Sequence, residues 1–231
     1  MKILYVASEV APYSKSGGLG DVAHALPRAL SARGHEVRVV TPLYATARVT
    51  NAEDSARSIR LRFPFGEHRA AIRVARPAPR HEIWFLEHPG FFGRPGFYGD
   101  SSGEYRDNHR RFAFLSVGAL AAAQAMHFAP DLVHLNDWQT GLAALAMLRG
   151  FRGTSVGEAR SLFTIHNLAY QGLFPKEVMA DLGLPWDVFT PSGLEFYDGV
   201  NFMKAGLAFA DALSTVSPTY AQEIQTESYG C

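Results

Sequence analysis

The chain has 231 residues, 47% hydrophobic and 19% charged, which is ordinary for a soluble α/β domain with a full core. Lys plus Arg and Asp plus Glu both number 22, so the formal charge is zero. This balance argues against a nucleic acid or an anionic membrane as partner. The single cysteine, Cys231, excludes a disulfide within the chain and fits a reducing cytosol.

The amino-terminal segment 1–8 is apolar but leads directly into a polar glycine loop, so neither a signal nor a transit peptide is expected. The longest apolar stretch, 115–123, is too short to cross a bilayer. We therefore expect a cytoplasmic protein, or a plastid protein if the source is a plant. The helix-starting pair Ser217-Pro218 lies close to Cys231, which indicates a fragment of a longer protein.

The first forty residues predict one βαβ unit. Segment 2–8 has the continuous apolar pattern of a buried parallel strand, and segment 36–41 predicts the second strand. Between them we expect a helix that Asp21 caps and that ends near Arg33. Pro27 is expected to bend this helix or to mark a short first segment.

The next part of the chain, 44–88, contains strand patterns without helical patterns between them. It predicts antiparallel or mixed strands at 58–65, 70–76 and 82–87. The aromatic and glycine-rich segment 91–103 is too long for an ordinary turn, and such loops are usually functional or mobile.

Beyond this loop, strands and helices alternate again. Helices are predicted at 107–126, 139–149, 175–182, 200–210 and from 218 onward, and strands at 131–136, 160–165 and 212–216. The order predicts a single doubly wound α/β domain over residues 1–231, with a mostly parallel, Rossmann-like sheet.

Ligands of open α/β sheets bind beyond the carboxyl ends of the strands. The segment from Lys15 to Asp21 follows the first strand, and its glycines, Gly18 among them, let the backbone approach a phosphate. The segment is neither a Walker loop nor a dinucleotide fingerprint, since no acidic residue ends the second strand. A tight turn with a solvated lysine is the structural alternative.

Two further polar clusters end later strands. Asp137 either caps the following helix or accepts hydrogen bonds from sugar hydroxyls, and Trp138 is either a stacking face or part of the core. A lone histidine is more often structural, but the adjacent pair His166 and Asn167 at the same sheet edge favours a site. We expect these two clusters and the Lys15 loop to line one crevice.

Neither a dedicated metal site nor a cofactor is expected. The sequence has no Asp-x-Asp pair, no His-Glu-x-x-His motif and no cysteine cluster. It has no Gly-x-Ser-x-Gly elbow, and Cys231 is too terminal to be proposed as a nucleophile.

Several motifs in one order resemble the bacterial and plant ADP-glucose-dependent glycogen and starch synthases. Residues 15–21 match the family signature K-x-G-G-L-G-D, in which Ser16 occupies the variable position. The resemblance runs over nearly the whole chain, and its other motifs lie at 7–12, 97–100, 107–112, 164–172, 201–206 and 215–218.

The resemblance implies the amino-terminal half of a GT-B glycosyltransferase, in which two Rossmann-like domains face each other across a cleft. It also implies transfer of glucose from ADP-glucose to the non-reducing end of an α-1,4-glucan, with retention of configuration. The carboxyl-terminal domain of this family supplies the nucleotide pocket. The isolated chain is therefore expected to be inactive.

The resemblance also implies roles for seven residues at the expected crevice. Donor binding is implied for Lys15 and Gly18. Sugar or acceptor binding is implied for Asp21 and Tyr98. The three residues implied beside the reacting glucose are His166, Asn167 and Asp137.

The family usually reads His-Asp-Trp-His where this chain reads Asn136-Asp137-Trp138-Gln139. Asparagine and glutamine keep hydrogen-bonding capacity but lose a titratable imidazole. Asp137 is therefore the residue of this motif that carries over directly. The alternatives are another GT-B sugar transferase, a non-catalytic glucan-binding module and, least favoured, an NAD oxidoreductase.

Overall fold

The computed structural model describes residues 1–47, 49 and 51–228, so Cys231 lies outside the described residues. The strands are β1 (Lys2–Val6), β2 (Glu36–Pro42), β3 (Glu53–Phe63), β4 (Gly66–Ala78), β5 (His81–Glu87), β6 (Gly99–Asp100), β7 (Gly103–Glu104), β8 (Leu132–Asn136), β9 (Arg160–Ile165), β10 (Leu173–Pro175), β11 (Glu195–Phe196), β12 (Gly199–Asn201) and β13 (Ala212–Thr215). The helices are α1 (Gly18–Ala32), α2 (Pro89–Phe92), α3 (Asn108–Ala125), α4 (Leu142–Arg149), α5 (Val178–Leu182), α6 (Phe202–Phe209) and α7 (Pro218–Glu223), with 3₁₀ turns at Trp138–Thr140 and Trp186–Val188.

Eight strands form the main sheet in the order β13-β9-β8-β1-β2-β5-β4-β3. The strands from β13 to β5 run parallel, and β4 and β3 extend the sheet antiparallel. The predicted doubly wound, mostly parallel α/β arrangement is confirmed. The chain passes from β1 to β2 on one side and later to β8 on the other. The carboxyl ends of β1 and β8 therefore flank a switch point, where ligands of such sheets bind.

Strand β1 is buried on both faces, as a parallel strand covered by helices must be. Leu4 and Val6 belong to the larger core, which contains the apolar sides of α3 and α4. Ile3 and Tyr5 face the opposite side and pack in a smaller core with α1. Two helical layers thus enclose the sheet and fix the carboxyl end of β1 between them.

The antiparallel part of the sheet is longer than the sequence predicted. Strand β3 begins at Glu53 and β4 ends at Ala78, and a two-residue turn joins them. The prediction of 58–65 misses the start of β3 at Glu53 and Asp54 and runs two residues into the turn, and the prediction of 70–76 misses the polar start of β4 at 66–69 and its last two residues. Exposed charges on an edge strand such as β3 also oppose pairing with another chain.

The predicted starts of α1 and α6 need correction. Helix α1 begins at Gly18 with Gly17 as the cap residue, so Asp21 lies in the first turn and is not the cap. Pro27 lies inside α1, which continues without interruption to Ala32. Helix α6 begins two residues later than predicted because Asn201 accepts the backbone N–H of Lys204 at 2.9 Å and caps it.

A small antiparallel sheet, in the order β10-β12-β11, was not predicted because each of its strands has only two or three residues. It packs beside the loop that follows β9. Within the described residues, no helix combines the length and apolar character needed to cross a membrane.

Candidate active site

A cavity of about 750 Å³ opens at the carboxyl ends of β1, β8 and β9. Segments from all three predicted clusters contribute to its wall, so the structure brings them together in one crevice. The predicted site residues that line it are Gly18, Tyr98, Asp137, His166 and Asn167.

The glycine loop presents the amino terminus of α1 to this cavity. Ser16, Gly17 and Gly18 line the wall. A Cβ atom added at Gly17 or Gly18 would meet no described atom within 4 Å, so both glycines border open space. The 15-residue helix behind them directs unpaired backbone N–H groups and its positive end towards this space. The arrangement can bind an anion such as a phosphate.

Lys15 and Asp21 lie beside the cavity and do not form part of its wall. Their side chains form an ion pair, with Nζ and Oδ2 2.8 Å apart, and both are about half exposed. Such a pair stabilises the fold little and leaves the lysine ammonium close to the helix amino terminus.

Glu9 is a cavity residue that sequence reasoning did not select. It is 3% exposed, and its carboxylate accepts hydrogen bonds from the hydroxyls of Ser16 at 2.6 Å and Tyr98 at 2.5 Å. The backbone N–H of Ser16 also donates to it. The sequence offered one indication of this role, since Glu9 is an acidic residue that directly follows the predicted strand 2–8. Within the motif at 7–12, however, nothing distinguishes Glu9 from its neighbours.

Tyr98 connects the aromatic segment 91–103 to the glycine loop. Its hydroxyl contacts Glu9 and also Ser8 at 2.9 Å. Burial and the nearby Glu9 carboxylate raise its pKa, so the phenol stays protonated and can donate. The same segment overlaps the end of α2 and most of the short β6–β7 hairpin, which explains why no ordinary turn accounted for it.

A buried arginine holds this segment in place. Arg111 is fully buried, and its Nε donates to the carbonyl of Phe91 at 2.7 Å. Its Nη1 donates to Asn108 Oδ1 at 2.7 Å, and Asn108 Nδ2 in turn donates to the Tyr98 carbonyl at 2.8 Å. The position of Tyr98 in the cavity wall therefore depends on two residues of α3 outside that wall.

Asp137 joins the ends of β8 and β9. Its Oδ1 accepts the backbone N–H of His166 at 2.7 Å and, more weakly, that of Asn167 at 3.4 Å. It precedes a 3₁₀ turn, but its side chain makes no capping bond to the described residues, so the cap interpretation is wrong. Its φ of 57° lies in the left-handed region, which a non-glycine residue rarely adopts. Burial raises the pKa of Asp137 to about 7, against the opposing effect of the two N–H groups.

His166 is held at its ring as well as at its backbone. Its Nε2 lies 2.9 Å from Oδ1 of the fully buried Asn136. Burial lowers the pKa of His166 to about 4, so the imidazole is neutral at pH 7. The side chain of its neighbour Asn167 turns back to accept the backbone N–H of Ala169 at 3.0 Å.

The loop of residues 166–172, which follows β9, is fixed at several further points. Asn201 Nδ2 donates to Gln171 Oε1 at 2.8 Å, and the Tyr220 hydroxyl on α7 accepts the backbone N–H of Leu168 at 2.9 Å. Gly172 has a φ of 64°, and a Cβ there would lie 2.3 Å from the Trp138 ring. Trp138 itself is 8% exposed, so it is mainly a core residue whose edge reaches the cavity.

Across residues 1–47, 49 and 51–228, no group of three or more His, Cys, Asp or Glu side chains is arranged to hold a metal ion. The titratable groups at the cavity are instead three carboxyl groups, a neutral imidazole and two phenols, beside a helix amino terminus; they belong to Glu9, Glu104, Asp137, His166, Tyr98 and Tyr170. This set suits hydrogen bonding to hydroxyls on one side and to a phosphate on the other.

Curated proteins are similar to this chain over its whole length. The chain is 59% identical to a protein named glycogen synthase from Myxococcus xanthus and 53% identical to one from Anaeromyxobacter dehalogenans strain 2CP-C. Both matches cover all of this chain and 49% and 48% of the relatives, so the chain spans about half their length.

The structure is similar to the catalytic domain of starch synthase IV from Arabidopsis thaliana bound to ADP and acarbose, with a TM-score of 0.88 and 30% identity. That match covers 98% of this chain and 47% of the Arabidopsis chain, and it supports the predicted GT-B relationship. Residues 2–231 match the family model described as the starch synthase catalytic domain. The chain therefore belongs to the starch synthase catalytic domain family, as its motifs indicated.

Proposed function

We propose that this chain forms the acceptor-side half of an α-glucan synthase, which transfers glucose from ADP-glucose to the non-reducing end of an α-1,4-glucan with retention. The observation that carries the proposal is the single cavity at the carboxyl ends of β1, β8 and β9. There, an anion-binding helix terminus faces a set of groups suited to hydroxyls. The proposal includes a cytoplasmic location.

The donor side of the site consists of the glycine loop. Gly18 lets the phosphates approach the α1 amino terminus, and Lys15 supplies a full positive charge at the adjacent rim. Asp21 holds Lys15 in the free chain and is available to a sugar once the phosphate takes over the lysine. The Arabidopsis relative is bound to ADP, which supports a nucleotide sugar as the donor.

The sugar side of the site consists of Tyr98, Asp137, His166 and Asn167. The phenol of Tyr98 and the carboxyl group of Asp137 are both present at the wall, where each can bind a hydroxyl. Asp137 also fixes the backbone of His166, so the chain mainly positions the reacting groups and stabilises developing charge.

We also propose that residues 1–231 make up one Rossmann-like domain and that a second domain completes the nucleotide site. The relatives are about twice as long as this chain, which supports a second half of similar size. The isolated chain is accordingly expected to bind a maltooligosaccharide without transferring glucose.

The test is a glucose-transfer assay with ADP-glucose and maltotetraose. It compares the chain alone with a fusion of this chain to the carboxyl-terminal half of the Myxococcus relative, which is 59% identical over the shared part. We expect transfer by the fusion only. An inactive fusion that is folded, beside an active full-length Myxococcus protein, contradicts the proposal, and transfer by the chain alone contradicts the two-domain requirement.

A further inference from the structure

Asn136 occupies the centre of a buried hydrogen-bond network behind the cavity. Its Oδ1 lies 2.9 Å from the Tyr5 hydroxyl and 2.9 Å from His166 Nε2. Its Nδ2 donates to the Val6 carbonyl at 3.0 Å. The side chain is fully buried, so each of these contacts replaces one that water would otherwise make.

The surroundings of this amide determine which end faces His166. The nitrogen lies beside the backbone carbonyls of Val6 at 3.0 Å and His134 at 3.4 Å, and a carbonyl can only accept. The opposite orientation would direct the amide oxygen at two other oxygens. The oxygen of Asn136 therefore faces His166, and His166 Nε2 must carry the proton that it accepts.

We propose that Asn136 is a positioning residue that holds His166 with its proton on Nε2 and leaves Nδ1 as a hydrogen-bond acceptor for a sugar hydroxyl. Nδ1 makes no hydrogen bond to any residue in the described part of the chain, and His166 lines the cavity. The sugar contact rests on the proposed function, whereas the position of the proton does not.

Asn136 and Asp137 act on His166 together. The amide fixes the ring, and the carboxylate of the next residue fixes the backbone N–H. The two restraints come from the end of one strand and leave the ring little freedom to rotate. Burial keeps the imidazole neutral at pH 7, so it has a single defined tautomer.

The tautomer can be measured directly by long-range ¹H–¹⁵N correlation spectra of the chain with ¹⁵N-labelled histidine. We expect His166 at pH 7 to have a protonated Nε2 and a bare Nδ1. A proton on Nδ1, or comparable amounts of both tautomers, overturns the proposal without any variant.

Two variants separate the role of the Asn136 oxygen from general damage to the network. Asn136→Leu removes the acceptor, and since a hydrogen bond contributes about 1 kcal/mol, the ratio of Nε2–H to Nδ1–H tautomers should fall about fivefold. Tyr5→Phe removes the other donor to the same oxygen and should leave the tautomer unchanged. An unchanged ratio in a folded Asn136→Leu chain, or an equal change in Tyr5→Phe, overturns the proposal.

Addition of maltotetraose tests the sugar contact. We expect the His166 Nδ1 resonance to shift while Nε2 stays bound to Asn136. If the backbone amides of Gly18 and Gly172, recorded in a uniformly ¹⁵N-labelled sample, shift but Nδ1 does not, the sugar contact of His166 is wrong. If no cavity resonance shifts at any concentration, the proposed function is contradicted instead, and the tautomer result stands.

Discussion

The carboxylate of Asp137 accepts the backbone N–H of His166 at 2.7 Å and so joins the ends of β8 and β9 at the cavity wall. Asp137 makes this contact with a backbone φ of 57°. The geometry of the site is thus maintained by a strained backbone, whose cost the buried hydrogen bond offsets.

Replacement of Asp137 by alanine and by glycine separates these two contributions. Both variants lose the carboxylate, but only alanine keeps the strain at positive φ. Asp137→Ala should therefore be less stable than Asp137→Gly by about 1 kcal/mol in urea unfolding. Equal stability, or a more stable alanine variant, would show that the strain is absent. Both should be far less active than the parent fusion protein.

Acid should destabilise the fold through buried histidines, of which His81 is the clearest case. Both of its ring nitrogens lack a described partner, and burial, reinforced by the nearby His24 and Arg38, lowers the pKa of His81 to about 4. An unfolded histidine has a pKa of about 6.5, so below that pH the unfolded chain binds the extra proton and stability falls.

His81→Leu should remove the part of the stability loss at low pH that protonation of His81 causes. Between pH 7.5 and pH 5, the wild-type free energy of unfolding should fall by about 2 kcal/mol more than that of the variant. The measurement is urea unfolding at the two pH values. A parallel fall in both proteins would mean that His81 titrates normally. His134 and His166 have similarly lowered pKa values and remain in the variant.

Gly172→Ala should disturb the cavity wall through a collision, because the new Cβ would lie 2.3 Å from the Trp138 ring. Gly153→Ala is the matched control, since Gly153 also has positive φ but borders open space among the described atoms. We expect the control to lose about 1 kcal/mol and Gly172→Ala at least about 2 kcal/mol, measured by urea unfolding. Equal losses would argue against close packing on Trp138.

Lys15→Met should weaken donor binding without changing stability, because the Lys15–Asp21 pair is largely exposed. The assay is the KM for ADP-glucose in the fusion protein, which we expect to rise about tenfold or more. Arg149→Met, which breaks the exposed Arg149–Asp187 pair, is the control and should leave KM unchanged. A KM that stays constant in both variants would remove Lys15 from the donor site.

The sequence predicted the sheet and the position of the crevice because both depend on local patterns. Apolar strands such as β1, and polar residues such as His166 directly after them, are visible without coordinates. The topology rule then brings those residues to one edge. Roles for the seven predicted residues stay predictions until the variants are measured.

The interactions that fix these residues were not predictable, because they join distant parts of the chain. From the sequence, Asp137 is either a helix cap or a partner of sugar hydroxyls, and neither interpretation predicts that its carboxylate accepts an N–H 29 residues away. Glu9 reads as one letter of a motif and becomes a buried partner of Tyr98, 89 residues away. The short strands β10, β11 and β12 lack any pattern of their own and form only where the surrounding loops bring them together.

The hydroxyl of Tyr220 contacts the backbone of Leu168, so a helix that contributes nothing to the cavity wall restrains the loop that does. Displacement of α7 from β13 would break the hydrogen bond between Leu168 and Tyr220, and the loop of residues 166–172 would lose one of its restraints. The shape of the cavity beside His166 is consequently sensitive to any displacement of α7.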